Sequence, residues 1–114
     1  MNDMRDDFTI GIEEEYLLVD SESHDLVVDS TKRVLKDCEA AIDQGIGGVS
    51  PEFPRAQVEV GTTVCRSISE SRSNLRTLRR AVAGMAEEHD RKINTASTHP
   101  FADWSRQRNT DKDR

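Results

Sequence analysis

From Phe8 to Val19 apolar side chains recur at alternate positions. Phe8, Ile10, Ile12, Tyr16 and Leu18 share one face of an extended chain, which predicts a long strand over 8–19. The polar stretch from Asp20 to Asp25 reads as a turn, and Leu26–Val28 as a short strand that pairs back as a hairpin with a longer loop. Beyond Ser30 and Thr31, either of which can cap a helix, Val34, Cys38 and Ile42 repeat every four residues, with Leu35 and Ala41 beside them. Gly45, Gly47 and Gly48 then read as a helix stop that opens a loop through Pro51 and Pro54. Alternation resumes over 55–60, where Ala56, Val58 and Val60 point one way and Gln57 and Glu59 the other, a second main strand. Ser67 and Glu70 have the spacing of a capping box, and Leu75, Leu78, Val82 and Met85 form the apolar stripe of the helix that follows. A third main strand is expected over 93–98, broken by His99-Pro100.

Composition changes this picture in one respect. Of 114 residues, 34% are hydrophobic and 33% charged, with three Phe, one Tyr and one Trp. So little apolar material fits part of a larger domain, whose apolar faces are covered by further chain, better than a self-sufficient small one. The net charge of −6 is divided unevenly: residues 1–60 carry 15 acidic and 5 basic side chains, residues 61–114 carry 7 and 11. An acidic front half is a poor surface for nucleic acid and suits cations, or anions carried by cations. Arg72, Arg76, Arg79, Arg80 and Arg91 lie mostly off the apolar stripe and read as a solvated helix face rather than a binding patch. Cys38 and Cys65 lack metal-type spacing and read as packed small hydrophobes. The acidic start has no apolar leader segment and no run reaches membrane-spanning length, so a cytoplasmic setting without membrane contact is expected.

Chemistry enters with Glu13-Glu14-Glu15, three acids inside a predicted strand. Charged residues are poor strand formers, so the run has a cost. Alternation puts Glu13 and Glu15 on one face, roughly 6.6 Å apart along the strand, and Glu14 on the other. Glu59 lies on the polar face of the second strand. If the strands pair, facing carboxylates come within about 5 Å, which demands either raised pKa values or a counter-cation such as Mg²⁺ or Mn²⁺. Spacing leaves two readings open, a divalent-cation site and a solvated acidic strand face. Glu14, on the apolar face, either pairs with an arginine or lies at a rim.

Three blocks in register, GIEEEY at 11–16, PEFPRAQVEVGTTVCRSISESRSNLRTLRRA at 51–81 and STHPFADW at 97–104, resemble carboxylate–amine ligases of the glutamate–cysteine ligase type 2 family. The resemblance covers nearly the whole chain but only about the N-terminal third of such ligases. It implies an α+β fold for residues 1–114: a fragment of a glutamine-synthetase-like catalytic domain, an antiparallel sheet with two helices packed on one face. It implies ATP as cofactor, with Mg²⁺ or Mn²⁺ holding its phosphates. Glu13 and Glu15 match the first pair of metal-binding acids, Glu59 the acid of the second strand, and Glu52 a further acidic position. The implied reaction phosphorylates the γ-carboxylate of glutamate and lets an amine, such as that of cysteine, attack the acyl phosphate. No catalytic residue is assigned.

Arg55 and Arg66 flank the second strand as candidate contacts to the nucleotide, although an exposed arginine is the ordinary case. His99 and Gln57 are candidate substrate contacts; stabilising a turn before Pro100 is the more ordinary role for His99, and Gln57 shares the face of Glu59. Trp104 reads as a packing residue. The histidine-rich strand motif that the family carries later does not occur after Trp104. The expectation is therefore an incomplete ligase domain, inactive or weakly active by itself, whose partners are amino-acid substrates and a second copy or the remainder of the ligase. The competing expectation is a non-catalytic remnant or small acidic interaction module.

Overall fold

The structure, a computed structural model, describes residues 8–27, 32–51, 56–95, 99–102 and 105. Its elements run β1 (Glu13–Asp20), α1 (Lys32–Ala41), β2 (Gly47–Pro51), β3 (Gln57–Thr62), α2 (Ile68–Glu88) and β4 (Arg91–Asn94). The strands form one antiparallel sheet in the order β2-β3-β1-β4.

The alternation read from the sequence decides which side of the sheet is covered. Tyr16 and Leu18 of β1 and Val58 and Val60 of β3 form one buried cluster with Val34, Leu35 and Cys38 of α1 and Leu78, Val82 and Ala86 of α2. Both helices therefore pack on one face, as expected. α2 starts as its capping pair predicts: the Ser67 hydroxyl accepts from the Glu70 amide at 3.1 Å. The return bond differs by one residue, because the Glu70 carboxylate accepts from the amide of Arg66 rather than that of Ser67. At its other end the amides of His89 and Asp90 donate back to Ala86 and Glu87, and Asp90 takes a left-handed φ of 58° that turns the chain into β4. After β1, the Asp20 carboxylate accepts from the amides of Glu22 and Ser23, which holds its pKa below the usual carboxylate range. The chain then returns through a bridge between Val19 and Leu26. Among the described residues no helix is long and apolar enough to cross a membrane.

Three expectations need correction. The glycines after α1 do not simply open a loop: Gly47 and Gly48 start β2, which pairs with Thr62 and Gly61 of β3. Glycine weakens a strand, but here it permits close backbone approach. The first strand begins at Glu13 rather than Phe8. The pairing Glu13↔Gly61 gives way to a bridge Ile10↔Cys65, three residues against four, so an extra residue on the β3 side breaks the ladder and Phe8 is left exposed. The third main strand starts at Arg91 rather than at 93, because the turn at Asp90 follows α2 directly, and it runs to Asn94; 96–98 of the expected span lie outside the described residues. Both thiols are free and buried, as expected; burial and the neighbouring Asp37 and Glu39 push the Cys38 thiol up to about 11, which leaves it protonated at neutral pH.

Candidate functional site

The face of the sheet away from the helices carries the acids. β1 and β3 pair with Glu15 directly opposite Glu59, Glu13 opposite Gly61, and Leu17 opposite Gln57. Residues opposed in an antiparallel pair project to the same side, so Glu15 and Glu59 are neighbours at about 5 Å between Cβ atoms. β2 extends the rows, with Ser50 beside Glu59 and Gly48 beside Gly61. Next to Glu13 there are thus two positions without side chains: a Cβ at Gly48 would meet nothing within 4 Å, and one at Gly61 would stand 3.8 Å from Glu13 Cγ. A separate open cleft of about 410 Å³ runs along β1 beyond the end of its pairing with β4; it is lined by Glu13, Glu14, Glu15, Tyr16, Leu17, Gln57 and Thr95, and neither Glu59 nor the two glycines line it.

Glu13 and Glu15 are exposed and Glu59 is half-buried, whereas Leu17 and Val19, farther along the same face of β1, are buried. The acidic half of the strand is consequently the accessible half. Among the described residues no three His, Cys, Asp or Glu side chains converge closely enough to enclose an ion. The donor set suits a cation that takes one or two carboxylates and completes its shell with water and phosphate oxygens, the habit of Mg²⁺. It does not suit an all-protein cage.

Glu14 resolves both ways at once. Its side chain, on the helix side, sits at the rim of the core, and its Oε1 accepts from Arg79 of α2 at 2.6 Å (Nη2) and 2.9 Å (Nε). Tyr16, two residues on, is fully buried. Its hydroxyl closes no hydrogen bond among the described residues. Burial first, and then the Glu14 carboxylate, push it up to about 12 against the partial opposition of Arg79. A pKa raised in the folded state means that this contribution to stability is whole below pH 10 and is lost as pH climbs from 10 through 12. Tyr16 is the one tyrosine of the chain, so a phenolate absorbance titration reads it alone. The midpoint is expected near 12 when native and near 10 in denaturant, and the same midpoint in both would contradict the buried placement.

The other candidates separate. Gln57 lines the cleft beside Leu17. His99 is buried, and both ring nitrogens are engaged: Nδ1 accepts from the amides of Phe101 and Ala102, so Nε2 carries the proton donated to the His24 carbonyl at 2.6 Å. Both ring nitrogens thus serve the turn that His99 was expected to stabilise as its alternative role. Arg66 is exposed at the start of α2 and does not line the cleft, so its candidacy for the nucleotide gains nothing from position. Glu52, Arg55 and Trp104 lie outside the described residues. Thr95 joins the cleft without any signal in the sequence, because the placement of β4 beside β1 brings it there.

A family model described as glutamate-cysteine ligase family 2 matches residues 9–114. The chain belongs to this family. It is 49% identical over 107 residues to a protein of Jannaschia sp. (strain CCS1) named "Putative glutamate--cysteine ligase 2", with 94% of this chain and 27% of that protein covered. Proteins of the same name from Rhodospirillum rubrum and Chloroflexus aggregans are 47% and 39% identical, covering 94% and 99% of this chain and 28% of each relative. The chain therefore spans little more than a quarter of the length of these curated relatives. The match contains both acidic strands, so the glutamate–cysteine ligase family membership covers the cleft itself.

Proposed function

We propose that this chain supplies the divalent-cation face of an ATP-dependent carboxylate–amine ligase of glutamate–cysteine ligase type, within a glutamine-synthetase-like domain that further chain completes. The observation that carries the reading is the register of β1 on β3, which opposes Glu15 and Glu59 on an open face with Glu13 beside them. Glu13, Glu15, Glu59 and Glu52 share the divalent ions that carry the ATP phosphates, one or two carboxylates to each ion, and Gly48 and Gly61 leave room above the sheet for a triphosphate. Bound Mg²⁺ or Mn²⁺ would offset charge on the phosphates of ATP. Gln57, neutral and adjacent, orients a group in the cleft by hydrogen bonds without adding charge.

In the complete ligase, the γ-phosphoryl group passes from ATP to the γ-carboxylate of glutamate and ADP leaves. The amine of cysteine then attacks the acyl carbon, releasing phosphate and a proton. The setting is cytoplasmic, where ATP and both amino acids are at hand. Exposed Phe8, Val64, Ile68 and Phe101 support a role for covering chain. The competing reading is a non-catalytic remnant that keeps the sequence of the ligase.

Calorimetric titration of the chain with ATP, with and without Mg²⁺, separates the two. Millimolar binding that requires Mg²⁺ is expected, with no ADP release on adding glutamate and cysteine. Absence of binding at millimolar ATP, or binding indifferent to Mg²⁺, argues for the remnant. Robust turnover would instead show that the chain needs no complement.

A further inference from the structure

Glu14 lies between the two acids of the cleft, yet its side chain is on the other side of the sheet, tied to α2. We propose that Arg79 is a positioning residue for the acidic face: its two bonds to Glu14 hold β1 against α2 at the point from which Glu13 and Glu15 project, and so set the geometry of the cation site. The proposal rests on the reading of that face as a cation site.

The geometry is specific. Nε and Nη2 of Arg79 converge on one oxygen of Glu14, at 2.9 and 2.6 Å, across 65 residues of chain. Glu14 is opposed on β3 by Val60, which is fully buried, and is followed on its own face by buried Tyr16. A carboxylate at that position without a cation would be half-desolvated beside apolar side chains, and the strand would move to bring it into water. Because successive side chains alternate, any rotation of the strand that exposes Glu14 also turns Glu13 and Glu15. The pair thereby transmits α2 to a face that α2 never touches, in the manner of outer partners that orient metal ligands.

A competing account is plain electrostatics, in which Arg79 merely adds positive charge near the site. The two accounts give opposite signs. If charge alone matters, Arg79→Ala tightens cation binding and Glu14→Gln weakens it. If position matters, Arg79→Ala weakens it, and Glu14→Gln leaves it nearly unchanged, because the glutamine oxygen still accepts from Arg79.

Mn²⁺ is titrated into the chain and its variants by electron paramagnetic resonance of the free aquo ion, at constant ionic strength, with thermal melts run in parallel. The expected results are a loss of about tenfold in affinity for Arg79→Ala, substantial recovery in Arg79→Lys, and a change below about threefold for Glu14→Gln. Unchanged or tighter binding by Arg79→Ala overturns the proposal. If Arg79→Ala does not fold, Glu14→Gln decides: a weakening as large as that of Glu15→Gln overturns it. Failure of the unmodified chain to bind Mn²⁺ at millimolar concentration, or insensitivity of binding to Glu15→Gln, would instead remove the cation-site reading, and this proposal with it.

Discussion

Replacing Glu15 and Glu59 together by glutamine is expected to abolish Mn²⁺ binding by the acidic face, and replacing Glu15 alone is expected to weaken it while making the fold more stable. The two carboxylates are directly opposed across β1 and β3. Like charges in a cross-strand pair are destabilising, by an amount of order 0.5 kcal/mol. Glutamine at position 15 keeps the shape and removes the repulsion while leaving the contacts of Glu59 in place, so the denaturation midpoint rises. The gain should shrink as salt is added, because the interaction is screened within about 10 Å at 0.1 M ionic strength. Loss of cation binding combined with gain of stability marks residues held against the interest of folding. An acidic face that is merely solvated predicts the stability gain without any binding to lose. Spectroscopic Mn²⁺ titration and urea denaturation on the same preparations distinguish these outcomes.

Gly47→Ala is expected to cost about 3 kcal/mol, near the upper part of the usual overpacking range. A Cβ at Gly47 would overlap the Gly61 carbonyl oxygen of β3 and stand 2.9 Å from Leu78 Cδ1 of α2. The carbonyl is backbone and cannot step aside, so β2 must move away from both β3 and the helix layer. A small domain holds about 5–15 kcal/mol in all, so the midpoint of denaturation should fall markedly. Gly48→Ala is the internal control. It is one residue along the same strand, nothing lies within 4 Å of its would-be Cβ, and the change should stay within about 0.5 kcal/mol. Equal effects at the two positions would mean that β2 is not seated on β3 as described. Neither glycine has a positive φ, so the difference is one of space and not of backbone strain.

Glu14 shows how far sequence reading reaches and where it stops. Alternation alone put it on the apolar face, an arrangement that demanded either an arginine or a rim. The structure supplies both, but only the packing of α2 across β1 selects Arg79 from the four arginines at 72, 76, 79 and 80. The capping pair Ser67–Glu70 was legible because its partners are three residues apart and the interaction is local. β2 was not, because Gly47 and Gly48 have no strand propensity and are held by pairing with residues 15 and 13 positions away. His99 was legible only as an alternative, since its carbonyl partner at His24 is 75 residues distant in sequence.

The sequence by itself determined the local grammar of this protein: two alternating strands, two amphipathic helices, the face on which each acid falls, and membership of the glutamate–cysteine ligase family through blocks that carry those acids. It did so because periodicity and capping depend on neighbours within a few residues. Which acids meet was left to the tertiary structure. The register that sets Glu15 against Glu59, the glycine positions that open space beside Glu13, and the arginine that ties Glu14 to α2 all arise from contacts distant along the chain, where packing and backbone pairing, not local preference, decide.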